Sequence, residues 1–372
     1  MRVLHTLWSA QFGGIQRFAI DLAATQASMG MEPAFLFGRL DGEFASDFRA
    51  VGIPVFTADL ISGWVTSRGT RNRVAELMRK YDVINLHTFN PLICGAAVHS
   101  GRPLVFTDHG NYGLGRVWTW RDRVKRFLQS RFTRHVDHFT FNSEYTRALA
   151  SGSFRMDPSI CTVVPNGIVH KIPTLDASSM PAALRSRITG SFVVGTSCRL
   201  AGVKRVHLLI EAFAAFQIGR RDVVLLIVGD GVQREDLEVR AGALGIDDRV
   251  IFAGYQREVG TYQSAMDVCV FPSIGESFGL VAIEALALGK PTLVMSDGGG
   301  MADIVRNIEP DNVVDGVAEL TTRLRQLCAQ QEADRRDSGV GLRAARIAYA
   351  KTFDIRSTSS AMKRIYDSVL DA

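Results

Sequence analysis

Short apolar runs rich in β-branched residues alternate with longer stretches of helical period along the chain, the pattern of βαβ units around a parallel sheet. In the first half the runs are Val3 to Trp8, Pro33 to Phe37, Val83 to Leu86, Leu104 to Thr107 and Phe139 to Asn142. In the second they are Phe192 to Thr196, Val223 to Val228, Val250 to Ala253, Val268 to Phe271 and Thr292 to Met295. The pattern occurs twice, and 372 residues exceed what one core usually serves, so two α/β domains are expected, over residues 1–168 and 191–353. Val169 to Gly190, rich in Pro, Ser, Thr and Ala and without a period, reads as a linker. Residues 354–372 carry an amphipathic helix expected to pack back on the first domain.

Open parallel sheets bind ligands beyond the carboxyl ends of their strands. The unusual polar and glycine-rich segments fall there: Gly13-Gly14, Asp108-His109-Gly110, Arg199 to Lys204, Gly229-Asp230-Gly231, Gly275 to Leu280 and Gly298-Gly299-Gly300. The segment from Phe271 to Glu284 runs strand, loop, helix, and its helix start offers free N–H groups and a macrodipole to an anion such as a diphosphate. Glu284, in an otherwise apolar helix, is suited to accept from the vicinal hydroxyls of a ribose, and Glu276 to hold a sugar. Taken alone, both acids are equally consistent with a solvated surface. Arg199 and Lys204 flank a strand-to-helix loop, where two fixed cations would stabilise a departing nucleoside diphosphate; an ordinary solvated pair is the simpler alternative. His109 is either structural or a donor to a phosphate or sugar oxygen. A nicotinamide site is set aside, because Gly-x-Gly-x-x-Gly is missing and Phe37-Gly38-Arg39 lacks the ribose-binding acid.

Composition adds exclusions. Hydrophobic residues at 47% and charged residues at 22% fit an ordinary globular chain and argue against disorder, collagen and coiled coil. The start, Met1 to Trp8, has no small-residue cleavage site behind it, and no run approaches the roughly 18 apolar residues of a membrane span, so neither a signal peptide nor a span is expected. The five cysteines lack a Cys-x-x-Cys pair and read as buried hydrophobes in a reducing cytosol. The net charge of +5 is uneven: residues 1–168 hold 19 Lys/Arg against 13 Asp/Glu, the remainder 24 against 25. Part of that excess lies in residues 116–135, seven cations against Asp122, with Val117, Trp120, Val124, Phe127, Leu128 and Phe132 in an approximate helical stripe. The stripe is either core with a solvated charged face or a surface for an anionic membrane. Without a recognition motif, nucleic acid is not an expected partner.

In their order, Gly13-Gly14, the His109 strand end, Val164-Pro165-Asn166-Gly167-Ile168, Arg199 with Lys204, Gly229-Asp230-Gly231, Phe252-Ala253-Gly254, and Glu276-Ser277-Phe278-Gly279-Leu280 with Glu284 resemble family 4 glycosyltransferases of the GT-B fold. The resemblance spans nearly the whole chain. It implies two Rossmann-like domains, the first for the acceptor and the second for a UDP- or GDP-linked sugar, with no other cofactor and no metal. Carried over by position, the Gly14 backbone with Gly13 beside it, Arg199 and Lys204 hold the diphosphate, and Glu284 the ribose. Glu276 with Ser277, Phe278, Gly279 and Leu280 holds sugar and phosphate, Gly254 and Tyr255 face the nucleotide, and His109 the sugar. Such enzymes retain anomeric configuration, which implies a hexosyltransferase acting by a front-face mechanism. No Asp-x-Asp occurs in the sequence, as a metal-free site requires. The acceptor expected is a lipid-linked sugar, polysaccharide or glycolipid precursor, and the place the cytoplasm or the inner membrane face. The nearest alternative is a nucleotide-sugar epimerase of the same architecture; a catalytically idle binding module is disfavoured by the intact Arg199, Lys204, Glu276 and Glu284.

Three segments depart from the family pattern. Asp303 stands before Ile304-Val305 where a glutamate is usual, Asn307-Ile308-Glu309-Pro310-Asp311 replaces a glycine-rich loop, and no glycine follows Lys204. The first two put donor contacts in question.

Overall fold

The computed structural model describes residues 1–11, 13–60, 67–110, 119–154, 156–170, 180–220, 222–337 and 340–372. The chain divides into two compact units, Met1–Val169 with Phe353–Ala372, and His170–Thr352.

In the first unit the strands are β1 (Arg2–Leu7), β2 (Glu32–Phe37), β3 (Val55–Thr57), β4 (Val83–Leu86), β5 (Leu104–Asp108), β6 (His138–Phe141) and β7 (Cys161–Val163). They pair in the order β3-β2-β1-β4-β5-β6-β7, every pair parallel. Because both faces are covered, strands such as Val83–Leu86 are buried throughout, the polar Asn85 included. One face packs Leu4, Ile84, Phe106 and Phe141 in a shared core; around β2, Phe35 and Phe37 meet Phe48 edge-on with ring centroids 4.8 Å apart. The helices are α1 (Gly14–Ser28), α2 (Ala45–Ala50), α3 (Arg68–Met78), α4 (Pro91–Ser100), α5 (Trp120–Phe132), α6 (Glu144–Ser151) and, from the end of the chain, α15 (Ile355–Leu370). α15 starts where the Asp354 carboxylate accepts from the Arg356 N–H, and it packs against α1, burying Ile355, Thr358, Ser359, Met362, Ile365 and Tyr366 at helical spacing.

The second unit repeats the plan with β8 (Phe192–Ser197), β9 (Val223–Val228), β10 (Val250–Gly254), β11 (Val268–Phe271), β12 (Thr292–Met295) and β13 (Val313–Val314), ordered β10-β9-β8-β11-β12-β13 and again all parallel. Its helices are α7 (Ala182–Ile188), α8 (Val206–Phe216), α9 (Arg234–Ala243), α10 (Val259–Ser264), α11 (Leu280–Ala287), α12 (Gly300–Arg306), α13 (Gly316–Asp337) and α14 (Val340–Ala350). Within the segment read as a linker, Met180 and the α7 residue Leu184 are buried in this unit's core; residues 171–179 of that segment lie outside the described residues.

Each sheet changes direction of winding once, between β1 and β4 in the first and between β8 and β11 in the second. Those are the switch points at which loops part and a ligand crevice opens in sheets of this kind.

Candidate functional site

At the switch point of the second unit, backbone hydrogen bonds tie the loops together. Leu200 N–H donates to the Asp230 carbonyl at 2.9 Å, Gly229 N–H to Gly254 at 2.8 Å and Ile274 N–H to Val203 at 3.0 Å. Gly275 N–H donates to the Asp297 carbonyl at 2.9 Å and Gly300 N–H to Glu276 at 2.8 Å. The approach is close enough to demand glycine: Gly229 has φ +131°, and a Cβ there would lie 1.9 Å from the Cys198 carbonyl oxygen. The glycines of the Gly229-Asp230-Gly231 segment therefore support the loop that carries Arg199.

On this frame Lys204, in a 3₁₀ turn over Gly202–Lys204, forms an ion pair with Glu276, both side chains about one-fifth exposed. The two residues singled out for opposite roles are thus brought into direct contact. Arg199 is exposed on the same loop. Gly279, with φ +94°, begins α11 without a side-chain cap, so its helix start is open to an anion from backbone N–H groups. Ser277 and Leu280 are half-buried beside it, whereas Phe278 is 4% exposed and can offer a ligand only its backbone. Glu284 is half-buried one turn along α11 and not on a solvated surface. Gly254 has φ +67°, where a Cβ would meet Arg234 Nη1 at 3.5 Å, and Tyr255 beyond it is exposed.

The departures from the family pattern acquire physical reasons. Arg205 follows Lys204 with φ +46°, a left-handed conformation that suits glycine. Its guanidinium holds the strain in place by donating to the Pro272 carbonyl at 2.9 Å, the Ser273 carbonyl at 3.2 Å and the Asp297 carboxylate at 2.5 and 2.9 Å. Glu309 is buried, and its Oε1 accepts from Arg346 Nε at 2.9 Å and Nη2 at 2.5 Å, so the atypical loop clips α14 to the sheet. Asp303 pairs with Arg306 one turn later on the exposed side of an otherwise buried α12. In this arrangement Glu309 serves the scaffold and Asp303 pairs at the surface.

In the first unit Gly13 caps α1 in extended conformation and Gly14 is its first residue. His109, at the end of β5, is buried and forms part of a row of stacked imidazoles with His5 and His87. His5 Nδ1 and His87 Nε2 are 2.9 Å apart, as are His87 Nδ1 and His109 Nε2 at 3.0 Å. Burial lowers the His5 and His109 pKa values to about 4 and that of His87 well below the usual range, so the row is neutral at pH 7. Sequence reasoning took His109 alone and passed over His5 and His87; the signal was a histidine inside or just after each of three apolar strand runs.

The stripe on residues 116–135 divides. Phe132 is buried and Leu128 half-buried, but Trp120, Val124 and Phe127 are 70%, 40% and 59% exposed beside exposed Arg123, Arg126 and Arg131. Val117 lies outside the described residues. Among the described residues no helix is long and apolar enough to cross a membrane, and no group of His, Cys, Asp and Glu is placed to hold a metal.

Comparison with known proteins settles the family. The model for "Glycosyltransferase Family 4" matches residues 12–171 and that for "Glycosyl transferases group 1" matches residues 185–338. The chain belongs to family 4 of the glycosyltransferases. A D-inositol 3-phosphate glycosyltransferase of Nocardia farcinica is 35% identical over 195 residues, 49% of this chain and 41% of its own, so the match spans less than half of that relative. A GDP-mannose-dependent monoacylated alpha-(1-6)-phosphatidylinositol monomannoside mannosyltransferase of Corynebacterium glutamicum is 26% identical over 316 residues, 78% of each chain. The crystal structure of Anabaena HepE in complex with UDP and glucose superposes with a TM-score of 0.81 at 21% identity, covering 99% of this chain and 100% of that one. The fold of this family 4 glycosyltransferase is GT-B.

Proposed function

We propose that the chain is a retaining glycosyltransferase that moves a hexose from a UDP- or GDP-linked donor to a lipid-linked or glycolipid acceptor, with no metal and no further cofactor. The observation that carries it is the Lys204–Glu276 pair, held next to Arg199 and the open start of α11. Bonding of the acceptor hydroxyl oxygen to the anomeric carbon and departure of the diphosphate occur on one face. The phosphate oxygen that leaves takes the hydroxyl proton, so no enzymic nucleophile is needed. Arg199 and Lys204 meet the charge that grows on the diphosphate, Glu276 the sugar hydroxyls and Glu284 the ribose. The relatives' names include both a GDP-mannose user and a UDP complex, which supports this donor class without choosing within it.

The test is turnover of radiolabelled UDP- and GDP-hexoses with lipid-linked acceptors, wild type against Lys204→Ala and Glu276→Ala. Loss of about 100-fold or more in kcat with an unchanged melting temperature is expected, as for removal of a preorganised charge partner. Unchanged turnover refutes the assignments, and an isomerised nucleotide sugar formed without acceptor refutes the transferase reading in favour of an epimerase.

The exposed Trp120, Val124 and Phe127 among arginines on α5 support an anionic membrane surface as partner, in keeping with a proposed place on the inner membrane face and a lipid acceptor. Co-sedimentation with vesicles containing phosphatidylglycerol, but not with phosphatidylcholine alone, is expected; equal binding to both, or to neither, removes this partner.

A further inference from the structure

Two buried polar networks meet in the first unit. On one side Thr140 Oγ1 donates to Thr107 Oγ1 at 2.9 Å, Thr107 Oγ1 to Asn85 Oδ1 at 2.8 Å and Asn85 Nδ2 to the Tyr366 hydroxyl at 2.8 Å. On the other is the row His5–His87–His109, whose far end, His5 Nε2, lies 2.8 Å from Gln26 Oε1. Gln26 of α1 stands between the two: its Oε1 faces His5 and its side-chain amide acts electrostatically on the buried Tyr366 hydroxyl, although its Nε2 has no hydrogen-bond partner among the described residues. All of these residues are buried, and Phe18 closes the α1 side by packing edge-on against His87 and His109.

A row of neutral imidazoles linked nitrogen to nitrogen has a direction: each ring donates one way and accepts the other, so one end fixes all three tautomers. With Gln26 Oε1 on His5, the row donates toward Gln26 and leaves His109 Nδ1 as a buried lone pair. That arrangement also leaves Gln26 Nε2 without a partner, and the Tyr366 hydroxyl, which takes the Asn85 N–H, without an acceptor for its proton among the described residues. Turning the amide by 180° satisfies both. Tyr366 O–H then donates to Gln26 Oε1, and Gln26 Nε2 to His5 Nε2. His5 Nδ1–H donates to His87 Nε2 and His87 Nδ1–H to His109 Nε2. One group stays unpartnered, His109 Nδ1, now carrying a proton.

We infer that Thr140, Thr107, Asn85, Tyr366, Gln26, His5, His87 and His109 form one directional relay that holds His109 as a neutral Nδ1–H donor for an oxygen of the bound substrate. The inference rests on the reading that His109 meets the sugar or phosphate of a nucleotide-sugar donor. It makes Tyr366 and Gln26 positioning residues, so that α15, from the far end of the chain, sets the polarity of a group at the end of β5. The depressed pKa values of the three histidines agree, because a charged ring would break the row. Among the described residues no other ionisable side chain hydrogen-bonds to the row.

The experiment is long-range ¹H–¹⁵N NMR of the full chain labelled at histidine. The relay histidines are assigned from the signals lost in His5→Gln, His87→Gln and His109→Gln chains. All three are expected as Nδ1–H tautomers; all three as Nε2–H overturns the relay, and a mixture overturns its fixed direction. In Tyr366→Phe, which no longer holds the Gln26 oxygen, the same three signals are expected to shift toward Nε2–H, with kcat lower by about tenfold and KM for the donor nearly unchanged. Tautomers unaltered in a folded Tyr366→Phe chain overturn the role of Tyr366. The wild-type tautomers are read without any substrate, so a chain that transfers no sugar but shows three Nδ1–H rings fails the functional reading and keeps the relay.

Discussion

Removing the Glu309 carboxylate tests whether the atypical loop after α12 belongs to the scaffold. The ion pair it forms with Arg346 is nearly closed to water, with side-chain exposures of 8% and 9%. Among the described residues Arg346 has one other acceptor, the Gly289 carbonyl at 3.3 Å. Glu309→Ala therefore leaves a guanidinium buried with a single long hydrogen bond, a change that costs about 3–5 kcal/mol when a buried pair loses one partner. With a urea m-value of about 3 kcal/mol/M, the unfolding midpoint of the second unit falls by roughly 1–1.7 M. Replacing both residues, Glu309→Leu with Arg346→Met, removes charge and partner together and is expected within about 1 kcal/mol of wild type or above it. The affinity for UDP or GDP, read by calorimetry on the folded proteins, is expected to stay unchanged in both. A single-variant loss below about 1 kcal/mol, a double variant no better than the single, or a tenfold weaker nucleotide at intact stability would each refute the scaffold assignment.

Three more outcomes follow from the same geometry. The buried histidines titrate near 6.5 when unfolded but at about 4 for His5 and His109 when folded, so their favourable contribution is complete above about pH 6.5. As pH falls from there toward 4, the unfolded chain binds protons first, and stability drops by up to about 1.4 kcal/mol per pH unit for each such histidine; denaturant midpoints at pH 7.5 and pH 5 measure it. Gly229→Ala forces a Cβ against the Cys198 carbonyl and is expected to lower the melting temperature and weaken nucleotide binding together, since the strand-end loops share that contact. Arg205→Gly relieves left-handed strain of about 1–2 kcal/mol while losing the guanidinium contacts, whereas Arg205→Ala loses the contacts and keeps the strain, so stability should rank wild type, then Gly, then Ala in thermal unfolding.

The long central strands and α8 were legible because burial on both faces leaves unbroken apolar runs, and Val223–Val228 and Val268–Phe271 coincide with the runs read from sequence. The strands that escaped, Val55–Thr57, Cys161–Val163 and Val313–Val314, are two- or three-residue edge strands too short to carry a period. α7 was missed for a related reason: Ala182–Ile188 buries a single large side chain, Leu184, so it has no stripe. At the site, residue types at strand ends identified Lys204 and Glu276 but not their contact, which joins positions 72 apart. The histidine row is likewise invisible to spacing, because β1, β4 and β5 become neighbours only through the sheet order.

The two kinds of polar group at the strand ends do different work, and the difference bears on specificity. In the second unit the charged pair Lys204–Glu276 is about one-fifth open to water, so exchange of one partner for a ligand group would cost little. In the first unit the histidine row is sealed and uncharged, and its last nitrogen, His109 Nδ1, is buried without a hydrogen-bond partner among the described residues. A sealed neutral donor discriminates by leaving itself unpaired when the wrong group arrives, at about 1–3 kcal/mol for a buried polar atom without a partner. On the proposed roles, open charges would contribute affinity for any diphosphate, whereas His109 would refuse a sugar that lacks the oxygen it meets. Deoxy analogues of the accepted donor should therefore separate the two: those missing the oxygen that meets His109 are expected to lose about 10- to 100-fold in kcat/KM, and His109→Ala should erase most of that difference. Equal discrimination by wild type and His109→Ala would place the selecting group elsewhere.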